Sequence, residues 1–416
     1  MKKTAVFFAV LLFAFIVIGD MLSGKAAKEE QAEKKPSYTG MGSIEVMQEG
    51  SYRPLNFEKQ RAMWFTAMDY EKIMNGKTEE EFETEVKERF EKTVMLGINT
   101  VYVQVRAYCD AYYDSELFPP GKSYTDTSYD PLRIMISTAH AYGLSFHAWI
   151  NPLRGMKVSE IKNADRSYAA AELCDSSFAS EVDGRMWLNP AYEEVRELVC
   201  AGVREIIENY NVDGIHIDDY FYPTTDAEFD REAFENSGAS VLGQWRMENT
   251  DKLVGDIYRT VKSENSLVLF GISPQGSIKQ NTEVQFADVV KWTSEKGFCD
   301  YIVPQVYYGY ENESSPFTAV VDEWKGYAAS GEVKLVIGIC TYKYGKQDQW
   351  AGKGIDEWVN AKDITSRQTR DIMSDESLDG IAFYSYASTF EDDTSSDIIM
   401  GEELPEIRKS LVDDIF

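Results

Sequence analysis

The run Val212-Asp213-Gly214-Ile215-His216-Ile217-Asp218-Asp219-Tyr220-Phe221-Tyr222-Pro223 carries the sharpest chemical signal in the chain. An apolar strand that ends in two adjacent acids is electrostatically costly unless those acids have partners or a task. One such task is cleavage of a glycosidic bond, which takes one carboxyl group as acid and a second as base or nucleophile, roughly 5–10 Å apart. Neighbouring residues on a strand face opposite ways. Asp218 is therefore read as pointing into the site, and Asp219 as opening the next loop, where a helix cap or an Arg partner is its alternative role. The second carboxyl is then either Asp219 or an acid from the stretch after the second strand: Asp110, Asp114 or Glu116. His216 lies deeper and is read as an interior hydrogen-bonding residue. With three His and five widely spaced Cys lacking any C-x-x-C, no metal, cofactor or complete disulfide framework is expected. No G-x-S-x-G motif supports an esterase.

The elements that must position these acids are legible as alternating patterns. Apolar runs over 61–68, 99–106, 144–151, 213–218, 267–273, 301–307, 334–340 and 380–386 read as strands. Amphipathic stretches over 79–96, 131–141, 191–210, 251–264, 286–296, 317–329, 365–374 and 401–414 read as the helices between and after them. This β–α repetition predicts a (β/α)8 TIM barrel with long βα loops, whose site lies at the C-terminal ends of the strands. A doubly wound sheet is the weaker alternative, because no Gly-rich phosphate loop follows the first strand. Alternation along each strand turns Gln104 and Arg106, His147, Trp149 and Asn151, His216 and Asp218, Gln305 and Tyr307, and Tyr384 and Tyr386 inward, with Trp64 and Thr66 from the first strand. A polar and aromatic ring of this kind suits a carbohydrate. The long connections over 107–129 and 152–189 carry further aromatic side chains.

Composition narrows the partners. The 416 residues carry a formal net charge of −28, and 44% are hydrophobic. That is enough for a packed core, and it argues against nucleic acid or an anionic membrane surface as a partner. At the N-terminus, Lys2 and Lys3 precede an apolar run over 4–18, short for a membrane span of ~20 residues. Residues 1–24 read as a signal peptide or an N-terminal membrane anchor, 25–43 as a polar linker, and 44–416 as the barrel. A secreted or cell-envelope location is expected, with a membrane tether through the N-terminal segment as one form of it.

At the acidic motif the sequence resembles the bacterial glycosyl-hydrolase-like-10 family. Asp213 to Pro223 is similar to that family's fourth-strand motif. Gly97-Ile98-Asn99-Thr100-Val101-Tyr102-Val103-Gln104-Val105-Arg106, His147-Ala148-Trp149-Ile150-Asn151-Pro152-Leu153-Arg154, Trp187-Leu188-Asn189-Pro190, Ile272-Ser273-Pro274 and Tyr301-Ile302-Val303-Pro304-Gln305-Val306-Tyr307 match as well. The resemblance runs from about Arg61 to about Ser388. It implies a (β/α)8 fold, export and glycoside hydrolysis, with peptidoglycan strands stripped of their stem peptides as the substrate of its best-understood relatives. The chain departs from the D-G-x-D-x-D-x-E pattern of chitinases, with His216 in the second Asp position and Tyr220 in the Glu position. Its seventh strand, ending Gly338-Ile339-Cys340-Thr341-Tyr342, lacks the Glu that many retaining barrel glycosidases carry.

The expected enzyme is thus an exported glycoside hydrolase acting on a cell-wall glycan. Its catalytic group is Asp218, with Asp219 or a loop acid such as Glu116 as partner. Arg106, Asn151 and Arg154 are expected to bind sugar hydroxyls or the lactyl carboxylates of muramic acid. Trp149, Tyr222 and Tyr307 are expected to stack on sugars, and His147, Gln305 and Tyr384 complete the substrate-binding ring. A carbohydrate-binding protein that kept the barrel and lost the chemistry is the alternative.

Overall fold

The computed structural model describes residues 52–125, 127–391 and 395–412. The predicted leader over 1–24 and linker over 25–43 lie outside the described residues. Among the described residues no helix is long and apolar enough to cross a membrane.

Eight parallel strands close into a barrel: β1 (Gln60–Phe65), β2 (Thr100–Arg106), β3 (Ser145–Ile150), β4 (Gly214–Ile217), β5 (Leu269–Ile272), β6 (Tyr301–Ile302), β7 (Lys334–Cys340) and β8 (Gly380–Tyr384). Each strand pairs with its neighbours in sequence, and β8 closes on β1 with Gln60 opposite Gly380. The (β/α)8 fold expected from the β–α repetition is the fold found. Helices Glu79–Leu96 and Pro131–Ala141 occupy their predicted spans. Each starts where its sequence supplies a cap. The Thr78 hydroxyl accepts from the Glu81 amide while the Glu81 carboxylate accepts from the Thr78 amide, and the Asp130 carboxylate accepts from the Arg133 amide ahead of Pro131.

Two strands depart from the simple pattern, for identifiable reasons. β6 pairs regularly over two residues because Pro304 has no amide to donate. Gln305 then continues the wall through single bridges to Gln275 and Gly338. In β2 a register shift between Gln104 and Arg106 against β3 reverses the in–out alternation of the last residue.

Side-chain burial sorts the rest as the alternation predicts. Val101, Val103, Val105, Phe146, Ala148, Ile150, Ile215 and Ile217 join the core between sheet and helices. Ala62, Trp64, Tyr102, Trp149, Tyr301, Val303, Val336 and Ala382 fill the barrel interior. Tyr386 departs from this. It begins a short helix and stacks on Phe65 at 4.6 Å between ring centroids, in the outer core. The connection over 152–189 is ordered. It folds into a three-stranded antiparallel sheet with Arg185–Leu188 between Arg154–Lys157 and Ala179–Val182. This sheet stands beside the mouth and brings Arg154 and Arg185 to it.

Candidate active site at the barrel mouth

Asp218 and Asp219 follow the last residue of β4, and both are buried. They fan to opposite sides of that strand. The Asn151 amide, just past β3, donates to both Asp218 oxygens at 2.7 Å. Asp219 turns the other way, toward β5 and β6. Its Oδ1 accepts from the Gln305 amide at 3.0 Å, and its Oδ2 accepts from the Gln275 and Gln285 amides. Two acids adjacent in sequence therefore both serve the mouth, because Asp219 has left the strand and the strict alternation with it.

The orientation of Asn151 follows from a chain of hydrogen bonds. The Ala67 backbone N–H can only donate, so the Gln104 atom facing it at 3.1 Å is the oxygen. The Gln104 amide then donates to Asn151 Oδ1 at 2.7 Å, which leaves the Asn151 NH2 for Asp218. Three strands are thereby linked to one carboxyl group.

Electrostatics separates the two acids. Burial raises the Asp218 carboxyl well above the ordinary carboxylate range, and the neighbouring Asp219 charge raises it further, against the donation from Asn151. Burial also raises Asp219, but amide donation from Gln305, Gln275 and Gln285 opposes it and favours the ionised form. Burial thus lifts both carboxyls, Asp218 the further, because Asp219 has three side-chain amide donors against the one amide of Asn151.

The wall beside Asp218 is cationic and aromatic. Arg154 lies 4.1 Å from the Tyr220 ring centroid and 4.7 Å from that of Tyr108, and Arg185 lies 4.0 Å from that of Tyr108. Asp110 shapes the turn that presents Tyr108 by accepting from the Ala107 and Tyr108 amides. Neither Arg154 nor Arg185 has a carboxylate in salt-bridge contact among the described residues. On another side, Tyr307, Tyr342 and Tyr384 cluster with ring centroids 5.7–6.2 Å apart. Several buried polar atoms around the acids lack a hydrogen-bond partner among the described residues: Trp149 Nε1, Arg154 Nε, Ser273 Oγ and Gln285 Oε1.

Asp218, Asp219, Trp149, Asn151, Arg154, Gln305, Tyr307 and Tyr384 are thus brought together as predicted. Four others are not. Arg106 faces the helix Glu193–Asn209 after the β2 register shift, with its guanidinium over the Phe118 ring and packed so closely on Gly202 that a Cβ there would collide with it. His147 sits low in the barrel against Gly214, bonded to Tyr301 and Ser145 rather than to the mouth. The Tyr222 ring is enclosed between Phe229 and Phe286. Glu116 is exposed on the outside of the barrel, where its backbone amide donates to Glu205. Its neighbour Asp114 is tied through its amide to the Tyr210 hydroxyl. The long loop runs down the outer helix, so neither acid joins the site.

The sequence reading missed Gln275, Gln285, Tyr108, Arg185 and Tyr342. Gln275 had a signal, two residues beyond Ser273 at the end of β5. Gln285 and Arg185 arrive from separate segments, and no local pattern marks them.

Two carboxyl groups held at the C-terminal mouth of a (β/α)8 barrel stand where enzymes of this fold place their active sites. The sequence model of the glycosyl hydrolase-like 10 family matches residues 59–352, and the chain belongs to that family. It is 31% identical over 275 residues to the glycosyl hydrolase YngK of Bacillus subtilis (strain 168), covering 60% of this chain and 53% of that protein. To the glycosyl hydrolase DigH of Escherichia coli (strain K12) it is 29% identical over 281 residues, covering 60% of this chain and 64% of that protein. The match thus spans between about half and two-thirds of the length of these curated relatives. Among solved structures, the glycoside hydrolase domain of PgaB (BpsB) from Bordetella bronchiseptica superimposes with a TM-score of 0.54 at 11% identity, covering 82% of this chain and 98% of that one. The alpha-L-fucosidase isoenzyme 2 of Paenibacillus thiaminolyticus gives 0.54 at 14% identity, covering 84% and 49%. At such identities these two structures speak for the fold alone.

Proposed function

We propose that the protein is an exported glycoside hydrolase that cleaves a bacterial cell-wall glycan, with peptide-free peptidoglycan strands as its substrate. The observation that carries this reading is the pair of buried acids at the barrel mouth, Asp218 held by Asn151 and raised further than Asp219, which three glutamine amides hold. Asp218 is the general acid, donating its proton to the leaving glycosidic oxygen. Asp219 is the ionised partner, stabilising the positive charge that develops at the sugar or activating the attacking group. Asn151 holds Asp218, while Gln275, Gln285 and Gln305 hold Asp219.

The anionic character of the substrate is supported by Arg154 and Arg185. In a chain of net charge −28, two half-buried guanidiniums without a carboxylate in salt-bridge contact stand beside the catalytic acid. Arg185 Nη1 donates to the Gly155 carbonyl at 2.6 Å, and stacking on Tyr108 and Tyr220 leaves other in-plane N–H groups of the two guanidiniums to a planar carboxylate, such as the lactyl group of muramic acid. Trp149 and the Tyr307–Tyr342–Tyr384 cluster offer ring faces and polar tips to the sugars.

Reducing-end release from peptide-free peptidoglycan, intact sacculi and chitin, assayed in parallel, tests the reading. Release from the stripped, anionic strands in clear preference to neutral chitin is expected. Release from chitin alone would remove the cell-wall assignment. Silence on all three with strand binding retained would favour the non-catalytic carbohydrate binder.

A further inference from the structure

The chain has eight tryptophans, and one of them is placed unlike the rest. Trp350 is 88% exposed, whereas Trp64, Trp149, Trp245, Trp292, Trp324 and Trp358 are buried and Trp187 is half-buried. So large and rigid an exposed ring presents a face on which a ligand can stack at low entropic cost.

The backbone that carries Trp350 is firmly built. Its amide donates to Asp348 Oδ1 at 3.2 Å, and Asp348 Oδ2 accepts from the Lys343 ammonium at 2.7 Å. The same ammonium donates to the carbonyl of Tyr307 at 2.7 Å. The next residue, Ala351, is buried and bonded in both directions, to the Asp348 carbonyl and the Glu313 amide. The ring is therefore held out on a braced loop that leaves β7 at the mouth and is tied to one of the mouth's own aromatic residues.

The surrounding face points to the same end. Of the seven exposed large apolar side chains among the described residues, Met68, Val241, Val284, Trp350 and Val359 lie in segments on the mouth side, and two, Met95 and Leu267, lie at the far end. The loop that carries Trp350 leaves β7 beside Tyr342, which packs with Tyr307 and Tyr384 in the mouth. A pyranose ring presents an apolar C–H face that suits such a platform, and a polymer threading the mouth extends past the bond being cut.

We propose that Trp350 is the stacking platform of a distal glycan subsite, taking the face of a sugar several residues along the strand from the bond flanked by Asp218 and Asp219. The inference deepens the glycosidase reading and rests on it. It makes the protein selective for long chains over short ones.

Iodide quenching of tryptophan fluorescence tests it, read as the difference from the same protein carrying Trp350→Phe, because the half-buried Trp187 beside Tyr220 also meets the quencher. The measurement uses the Asp218→Asn protein, so that strands bind without being cut, with long peptide-free peptidoglycan strands and the tetrasaccharide from the same polymer as probes. Long strands should protect Trp350 from iodide, and the tetrasaccharide should protect it much less. Trp350→Ala should weaken capture of long strands about 3- to 10-fold, with a smaller loss as the chain shortens. Long strands that bind while Trp350 stays fully quenchable would overturn the platform and leave the glycan reading intact. Protection of Trp350 without any hydrolysis by the wild-type protein would keep the platform and remove the hydrolase. Failure of the wild-type protein to capture any strand would remove both.

Discussion

The middle of the barrel and its mouth are both rich in polar and aromatic side chains, yet they are built to opposite rules. In the middle, every polar group of the central cluster has a protein partner. The Trp64 indole donates to His216 Nε2 at 3.2 Å, which places the His216 proton on Nδ1, facing the Tyr301 hydroxyl at 3.0 Å. That hydroxyl in turn donates to His147 Nδ1 at 2.7 Å, and His147 Nε2 donates to the Ser145 hydroxyl at 3.1 Å. Burial pushes His216 well below its ordinary value and His147 down to about 4, so both rings are neutral. At the mouth, Asp218 and Asp219 are buried on either side of β4, and Trp149 Nε1, Ser273 Oγ and Arg154 Nε lack hydrogen-bond partners among the described residues. A closed polar network fixes the barrel. An open one beside it is shaped for a substrate.

This contrast can be broken or sharpened by substitution. After substitution of Asp218 itself, the largest effect is expected for Asp219→Asn, which should cut turnover by about 10²–10³-fold, the usual worth of a positioned acid or base, with glycan capture retained. The wild-type pH profile should show the same pair. Activity falls at high pH as Asp218 loses its proton and falls at low pH as Asp219 gains one, giving a bell whose limbs belong to the coupled pair. A rate that climbs steadily with pH would remove Asp218 as the acid.

His216→Phe should do the reverse. It leaves the Trp64 indole N–H without a partner and takes one of two partners from the Tyr301 hydroxyl, and should cost about 2–4 kcal/mol in denaturant unfolding, with turnover per folded molecule near wild type. Turnover lost without any loss of stability would mean that the middle of the barrel takes part in the chemistry.

Gln104→Leu stands between the two regions, since Gln104 touches no substrate and acts only by orienting Asn151. A fall in kcat of roughly tenfold with KM unchanged is expected, together with a shift of the alkaline limb of the pH profile. An unchanged limb would reduce Gln104 to a packing residue.

The smallest effect lies outside both regions, at Glu403. Burial pushes this carboxyl up to about 8 from its ordinary 4.5, against one backbone donor from Ser366. A raised carboxyl contributes stability below about 4.5 that is lost as the pH climbs through about 8. Glu403→Gln should therefore melt a few degrees above the wild-type protein at pH 8, and the gap should close by pH 4.5. A gap independent of pH would exclude titration of Glu403 as its cause.

Much of this division was legible in the sequence, and the rest was hidden for physical reasons. The side-chain alternation along β3 and β4 places Trp149, Asn151, His216 and Asp218 correctly, because those strands are regular. Alternation tells inside from outside, but not depth. His147, two residues before Trp149, is on the predicted face yet belongs to the closed network below. Arg106 fails because one register shift inverts everything after it. Tyr222 fails because the chain has turned out of the strand by then. Glu116 lies in a loop whose length suggested function, but whose path follows the outer helix. The glutamines around Asp219 come from three separate segments, and only the closed barrel brings them together.

The most direct test measures reducing-end release from peptide-free peptidoglycan strands and thermal melting on the same preparations of the wild-type and Asp218→Asn proteins. Release should fall by ~10³-fold or more in the variant, while its cooperative melting transition is retained, because the amide is close in shape to the protonated carboxyl it replaces. Near-wild-type release by Asp218→Asn would contradict the assignment of the mouth acids to glycosidic bond cleavage.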